Sequence, residues 1–95
     1  MQKPAPIMSV REIVHALGSL NCVVTHNAER ETDRRQANQT LELIRQLAML
    51  AQNQPIDLVR VNRWKAMHRQ FADLYPSMVL RELGRYADRL SKHAA

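Results

Sequence analysis

Apolar residues recur at helical spacing in four stretches of this chain, and proline, glycine and capping residues mark most of the breaks between them. Ser9-Val10-Arg11-Glu12 fits a capping box, in which the serine oxygen takes a backbone N–H at the third helical residue and the glutamate reaches back to the cap. It predicts a first helix from Val10 to Leu17, with Val10, Ile13, Val14 and Leu17 on one side and Gly18 as the stop. Pro4 and Pro6 make residues 1–8 an extended leader. Leu20 to His26 carries the β-branched run Val23-Val24-Thr25 but has no partner strand, so it reads as a connector.

Asn27 can cap a second, longest and central helix that runs to Gln52, ahead of Asn53-Gln54-Pro55. Its first half, Ala28 to Thr40, is nearly devoid of apolar residues and offers a correctly ordered Glu31–Arg35 pair, so a solvated or partner-facing segment is expected. From Ala37 onward there are two apolar stripes: Ala37, Leu41, Ile44, Ala48 and Ala51 on one, Leu43, Leu47 and Leu50 on the other. Two stripes require two surfaces. One is the domain core; the second is either more core or an interface with another chain, because three exposed leucines would forgo several kcal/mol at about 25 cal/mol per Å² of apolar area.

Asp57 can cap a third helix to Tyr75, with Val61, Trp64, Met67, His68, Phe71, Leu74 and Tyr75 on its apolar side and Asn62, Lys65, Arg69 and Asp73 opposite. Pro76 breaks it and Ser77 caps a fourth, leaving a very tight connection. In the fourth helix Val79, Leu83, Tyr86 and Leu90 form the core stripe, while Arg81, Arg85, Arg89 and Lys92 form a basic ridge across from it. Like charges at this spacing repel by a few tenths of a kcal/mol per pair, with only Glu82 and Asp88 placed to relieve them. Gly84 lies inside this helix, which a close helix crossing would explain. The expected fold is all-α: one domain over residues 9–95, a bundle of four helices with self-association adding to a thin core.

The chain has 95 residues and a formal net charge of +5, with a pI near 10.1. Charge is uneven: residues 1–54 hold six Lys/Arg against five Asp/Glu, residues 55–95 eight against four. This basic balance permits nucleic acid as a partner without demanding it. One cysteine, Cys22, precludes an intrachain disulfide and leaves a reducing cytoplasm as the expectation. No apolar run approaches the roughly 18 residues of a membrane span, so no membrane partner is expected.

Little in the sequence suggests catalysis. With glycine only at positions 18 and 84 there is no phosphate-cradling loop, and no nucleotide or other cofactor is expected. Cys22 and His26, with His15 upstream, could be drawn as a metal or thiol site, but Cys22 reads more simply as a small buried apolar residue. His68 among aromatic residues could be a protonation switch; the plainer reading is a core-edge histidine with one satisfied nitrogen. Glu29, Glu31 and Asp33 interleave with arginines as a solvated charged helix does, not as an acid/base pair. The expectation is a non-enzyme.

Two binding readings remain. In one, the third and fourth helices form a helix-turn-helix with Ser77, Met78 and Arg81 leading into a DNA groove, although the turn lacks the usual glycine and Gly84 interrupts the recognition helix. In the other, the chain lays helical surface on a protein, with Leu43, Leu47 and Leu50 giving apolar area and Arg81, Arg85 and Arg89 pairing with acidic groups. On that reading Leu47→Asp abolishes binding and leaves helix content intact.

The length, the basic helical layout, the polar stretch Glu29-Arg30-Glu31-Thr32-Asp33-Arg34-Arg35 feeding Leu41-Glu42-Leu43-Ile44, and the arginine-rich end together resemble the epsilon antirepressors of enterobacterial satellite phages. The resemblance spans the whole chain without a signature motif, so no residue role carries over from it. It implies a protein of the host cell cytoplasm that binds the helper phage's immunity repressor, keeps it off its operator and so releases the lytic genes. It favours the protein-binding reading.

Overall fold

A computed structural model describes residues 8–27 and 34–94. They form four helices and, among the described residues, no strand: α1 (Val10–Asn27), α2 (Arg34–Gln52), α3 (Leu58–Leu74) and α4 (Met78–Ser91). The leader up to residue 7, the start expected for the second helix at 28–33 and the Glu31–Arg35 pair lie outside the described residues.

Helices α1, α3 and α4 each begin where a side chain can satisfy the free N–H groups of the first turn. Ser9 Oγ accepts the Glu12 N–H at 3.1 Å. The reciprocal half of the expected capping box differs, because Glu12 accepts the Ser9 hydroxyl, at 3.1 Å. Asp57 accepts from the N–H groups of Val59 and Arg60 at 3.0 and 3.3 Å, and Ser77 from that of Leu80 at 3.1 Å.

The first helix departs from its expected end. It runs through Gly18, Leu20–His26 is helical and not a connector, and Asn27 closes α1 where it was expected to open the next helix. No glycine here has positive φ, so Gly18 costs the helix up to about 1 kcal/mol without breaking it. Burial on the far side offsets that cost: Val24 is buried in the same core as Ile13 and Leu17, with Leu20 packed against it.

The helices pack around a ring, α1 on α2, α2 on α3, α3 on α4 and α4 on α1, with a further contact across one diagonal between α2 and α4. The core is the interior of that ring. Leu43, Ile44, Leu47 and Ala51 of α2 meet Leu80, Leu83, Ala87 and Leu90 of α4, with Val61 and Trp64 of α3. Because α2 touches all three other helices, both of its apolar stripes are used internally.

Three polar contacts fix the α2–α3–α4 side. The Trp64 indole donates to the Leu43 carbonyl at 2.9 Å. The His68 ring stacks on Trp64, with centroids 4.9 Å apart and planes 12° from parallel. His68 Nε2 lies 2.6 Å from the Leu80 carbonyl; a carbonyl can only accept, so this nitrogen carries a proton. Gly84 makes room for the ring, since a Cβ there would stand 3.1 Å from His68 Cε1. This is the close approach that the sequence anticipated. Lys65, expected on the outer face of α3, instead bridges to Asp88 of α4 at 2.8 Å. His93 Nε2 lies 2.6 Å from the Met8 carbonyl, tying the segment that follows α4 to the residue that precedes the α1 cap.

The two glycines therefore predict opposite responses in thermal or urea melts. Nothing lies within 4 Å of a Cβ at Gly18, so Gly18→Ala should stabilise by up to about 1 kcal/mol. Gly84→Ala should destabilise, because His68 is pinned and cannot yield, yet the same substitution should stabilise in a His68→Ala background. Equal effects in the two backgrounds would contradict the contact. Leu47 has no exposed surface; Leu47→Asp should cost more than about 4 kcal/mol and collapse the helical circular dichroism signal.

Candidate functional site

Leu43 and Leu47, expected to dock a partner, are core residues at 6% and 0% exposure, and Leu50 is half-buried against the same core. Leu43 and Leu47 are not available to a partner in the folded chain, while Leu50 keeps part of its surface open. The reason is geometric: the stripe that looked surplus on one helix is covered by α3 and α4.

The arginine ridge divides. Arg81 and Arg85 are exposed on α4, with Arg85 bonded to Glu82 at 3.2 Å. Arg89 is half-buried: its guanidinium lies 5.5 Å from the centre of the Tyr86 ring and Nη1 reaches Met8 Sδ at 3.4 Å. It braces the N-terminal entry to α1 against α4. Asp88 is taken by Lys65, so Arg81 is left as the ridge's exposed arginine with no acidic partner among the described residues.

Arg81 stands beside an apolar projection. Met78, at 80% exposure, and Leu74, at 73%, flank the α3–α4 turn together with the partly exposed Tyr75. Beneath them a cavity of about 500 Å³ opens between the ends of the helices, lined by Val24, Ala37, Thr40, Phe71, Leu74 and Val79 among others. Leu74 and Tyr75 were expected on the core side of α3. They project because Pro76 turns the chain before a neighbouring helix can cover them. Met67, assigned to the same side, is also exposed, at 52%.

A second, smaller cleft of about 310 Å³ lies between α2 and α3, lined by Gln46, Met49, Leu50, Asn53, Arg60, Arg63 and Trp64. On its edge Arg45 pairs with Glu42 and also reaches Met49 Sδ at 3.2 Å. Hydrogen bonds from Arg45 and Gln46 hold the Glu42 carboxyl below the usual carboxylate range. No single helical pattern shows this cleft, because its lining joins Leu50 of the second α2 stripe, Asn53 of the break after it and Trp64 of the apolar side of α3.

The α3–α4 pair is an antiparallel hairpin. His68 meets Leu80 and Gly84, and Lys65 meets Asp88 well away from the turn on both helices. Helices crossing steeply at the turn, as in a helix-turn-helix, would have separated by that distance. Among the described residues no three His, Cys, Asp or Glu side chains gather, and Cys22 is exposed where a buried residue was expected. No helix among them is long and apolar enough to cross a membrane. No protein family, curated protein or solved structure matches the chain.

The divided ridge predicts a divided response in urea unfolding. Arg81→Gln should shift stability by less than about 0.5 kcal/mol. Arg89→Gln should cost roughly 0.5–1 kcal/mol through the lost Tyr86 contact. Equal effects would return both to a solvated surface.

Proposed function

We propose that this chain is an antirepressor: a regulatory protein that binds a phage repressor and takes it off its operator by protein contact. The reading joins the whole-chain resemblance to one observation, the exposed Leu74, Tyr75 and Met78 beside Arg81, which has no acidic partner among the described residues. Methionine, aromatic residues and arginine are the types enriched at the centres of protein interfaces. In this reading Met78 and Leu74 enter apolar surface on the repressor, and Arg81 and Arg85 orient the complex through acidic groups. Occluding the repressor's dimer surface or its DNA-contacting helices then releases the operator. Leu43 and Leu47 of α2 act only by holding the neighbouring helices in place.

Direct DNA binding has less support. The side-by-side α3–α4 hairpin does not present α4 as a recognition helix usually lies, and Arg89 is engaged with Tyr86 and Met8.

A mobility-shift titration separates the two. Added to labelled operator DNA carrying the helper phage's immunity repressor, the chain should release free DNA, and alone it should shift nothing. Met78→Asp and Arg81→Glu, both at exposed positions, should each raise the concentration needed for release by about tenfold or more. A salt-sensitive shift by the chain alone would instead establish DNA binding and overturn the antirepressor reading.

A further inference from the structure

We propose that the α2–α3 cleft is a second docking site, for a segment of a partner protein that carries a large apolar side chain close to a carboxylate. The inference goes beyond the antirepressor reading and stands on the cleft's own geometry.

The cleft has an apolar floor. Trp64 is buried at 3% exposure and immobilised by its bond to Leu43 and its stack on His68, while Leu50 is half-buried beside it. Met49, 56% exposed, forms a flexible wall that can adapt to an incoming side chain. About 310 Å³ is at the lower end of the range for ligand pockets, suited to one large side chain. A floor fixed in advance reduces the ordering cost of binding.

The cleft's lining is charged with one sign. Among the described residues, the charged ones that line it are Arg60 and Arg63. Arg63 is exposed and has no acidic partner among the described residues, and Arg60 meets Asp57 only at 3.6 Å with both side chains more than half exposed. Glu42, the nearest acid on α2, is occupied by Arg45 and Gln46. A cationic segment would be repelled and an acidic one attracted. Nucleic acid fits less well: phosphate could meet the arginines, but a base needs an open aromatic face to stack on, and Trp64 is covered.

Trp64 is the chain's only tryptophan, so its emission and its indole N–H resonance report on the cleft. The probe is an amphipathic peptide of about fourteen residues, near the shortest length that holds a helix, with leucines at i, i+3 and i+7 and glutamates between them. A second peptide replaces every glutamate by lysine. The glutamate peptide should change the Trp64 signals saturably and bind at least about tenfold tighter than the lysine peptide. Arg63→Glu should reverse the preference, and its unchanged circular dichroism spectrum would show an intact fold. Equal binding of the two peptides, binding of neither, or displacement of the glutamate peptide by a DNA oligonucleotide would each overturn the proposal. The two readings fail separately: repressor release without peptide binding would sink the cleft alone, and peptide binding without repressor release would sink the antirepressor reading alone.

Discussion

Trp64 and His68, stacked one turn apart on α3, tie that helix to both of its neighbours, and the rest of the bundle is arranged around this pair. The indole N–H ends on the carbonyl of Leu43 in α2 and the imidazole N–H on that of Leu80 in α4. A tryptophan buried without a partner for its N–H would carry a desolvation penalty of about 1–3 kcal/mol. Here both ring donors find backbone acceptors on other helices, and no buried side-chain nitrogen or oxygen among the described residues lacks a partner. Gly84 belongs to the same arrangement, since the imidazole occupies the space above it.

Fixing α3 between α2 and α4 decides what remains outside. It covers Leu43 and Leu47, so the leucine stripe becomes the inner wall of the bundle. It sets α3 and α4 side by side, which leaves the Pro76 turn projecting with Leu74 and Met78 uncovered and Arg81 alongside. It also makes Trp64 the rigid floor of the α2–α3 cleft. Core and candidate surfaces thus share one origin, and a change at His68 would be felt at both.

Much of this was legible in the residues. Ser9, Asp57 and Ser77 mark helix starts because a short polar side chain can reach the free N–H groups of the first turn from within the same segment. Pro55 and Pro76 mark breaks for equally local reasons. The fate of Gly18 was not local: a glycine that ends many helices is carried through here because Val24 gains burial beyond it. Nor could α2 alone reveal that neither stripe was spare, since that depends on three neighbours. Arg89 shared a helical face with Arg81 and Arg85, but its contact with Met8 joins residues far apart in sequence. Periodicity identified the faces, while tertiary packing selected which of them stayed exposed.

The link between α3 and α4 rests most directly on the proton of His68. If the imidazole links α3 to α4 as described, nitrogen-resolved NMR of the native chain will show a proton on Nε2 that exchanges slowly with water and couples to the carbonyl of Leu80. An unprotonated Nε2, or a rapidly exchanging proton with no coupling to that carbonyl, would contradict the arrangement on which the core and both candidate surfaces depend.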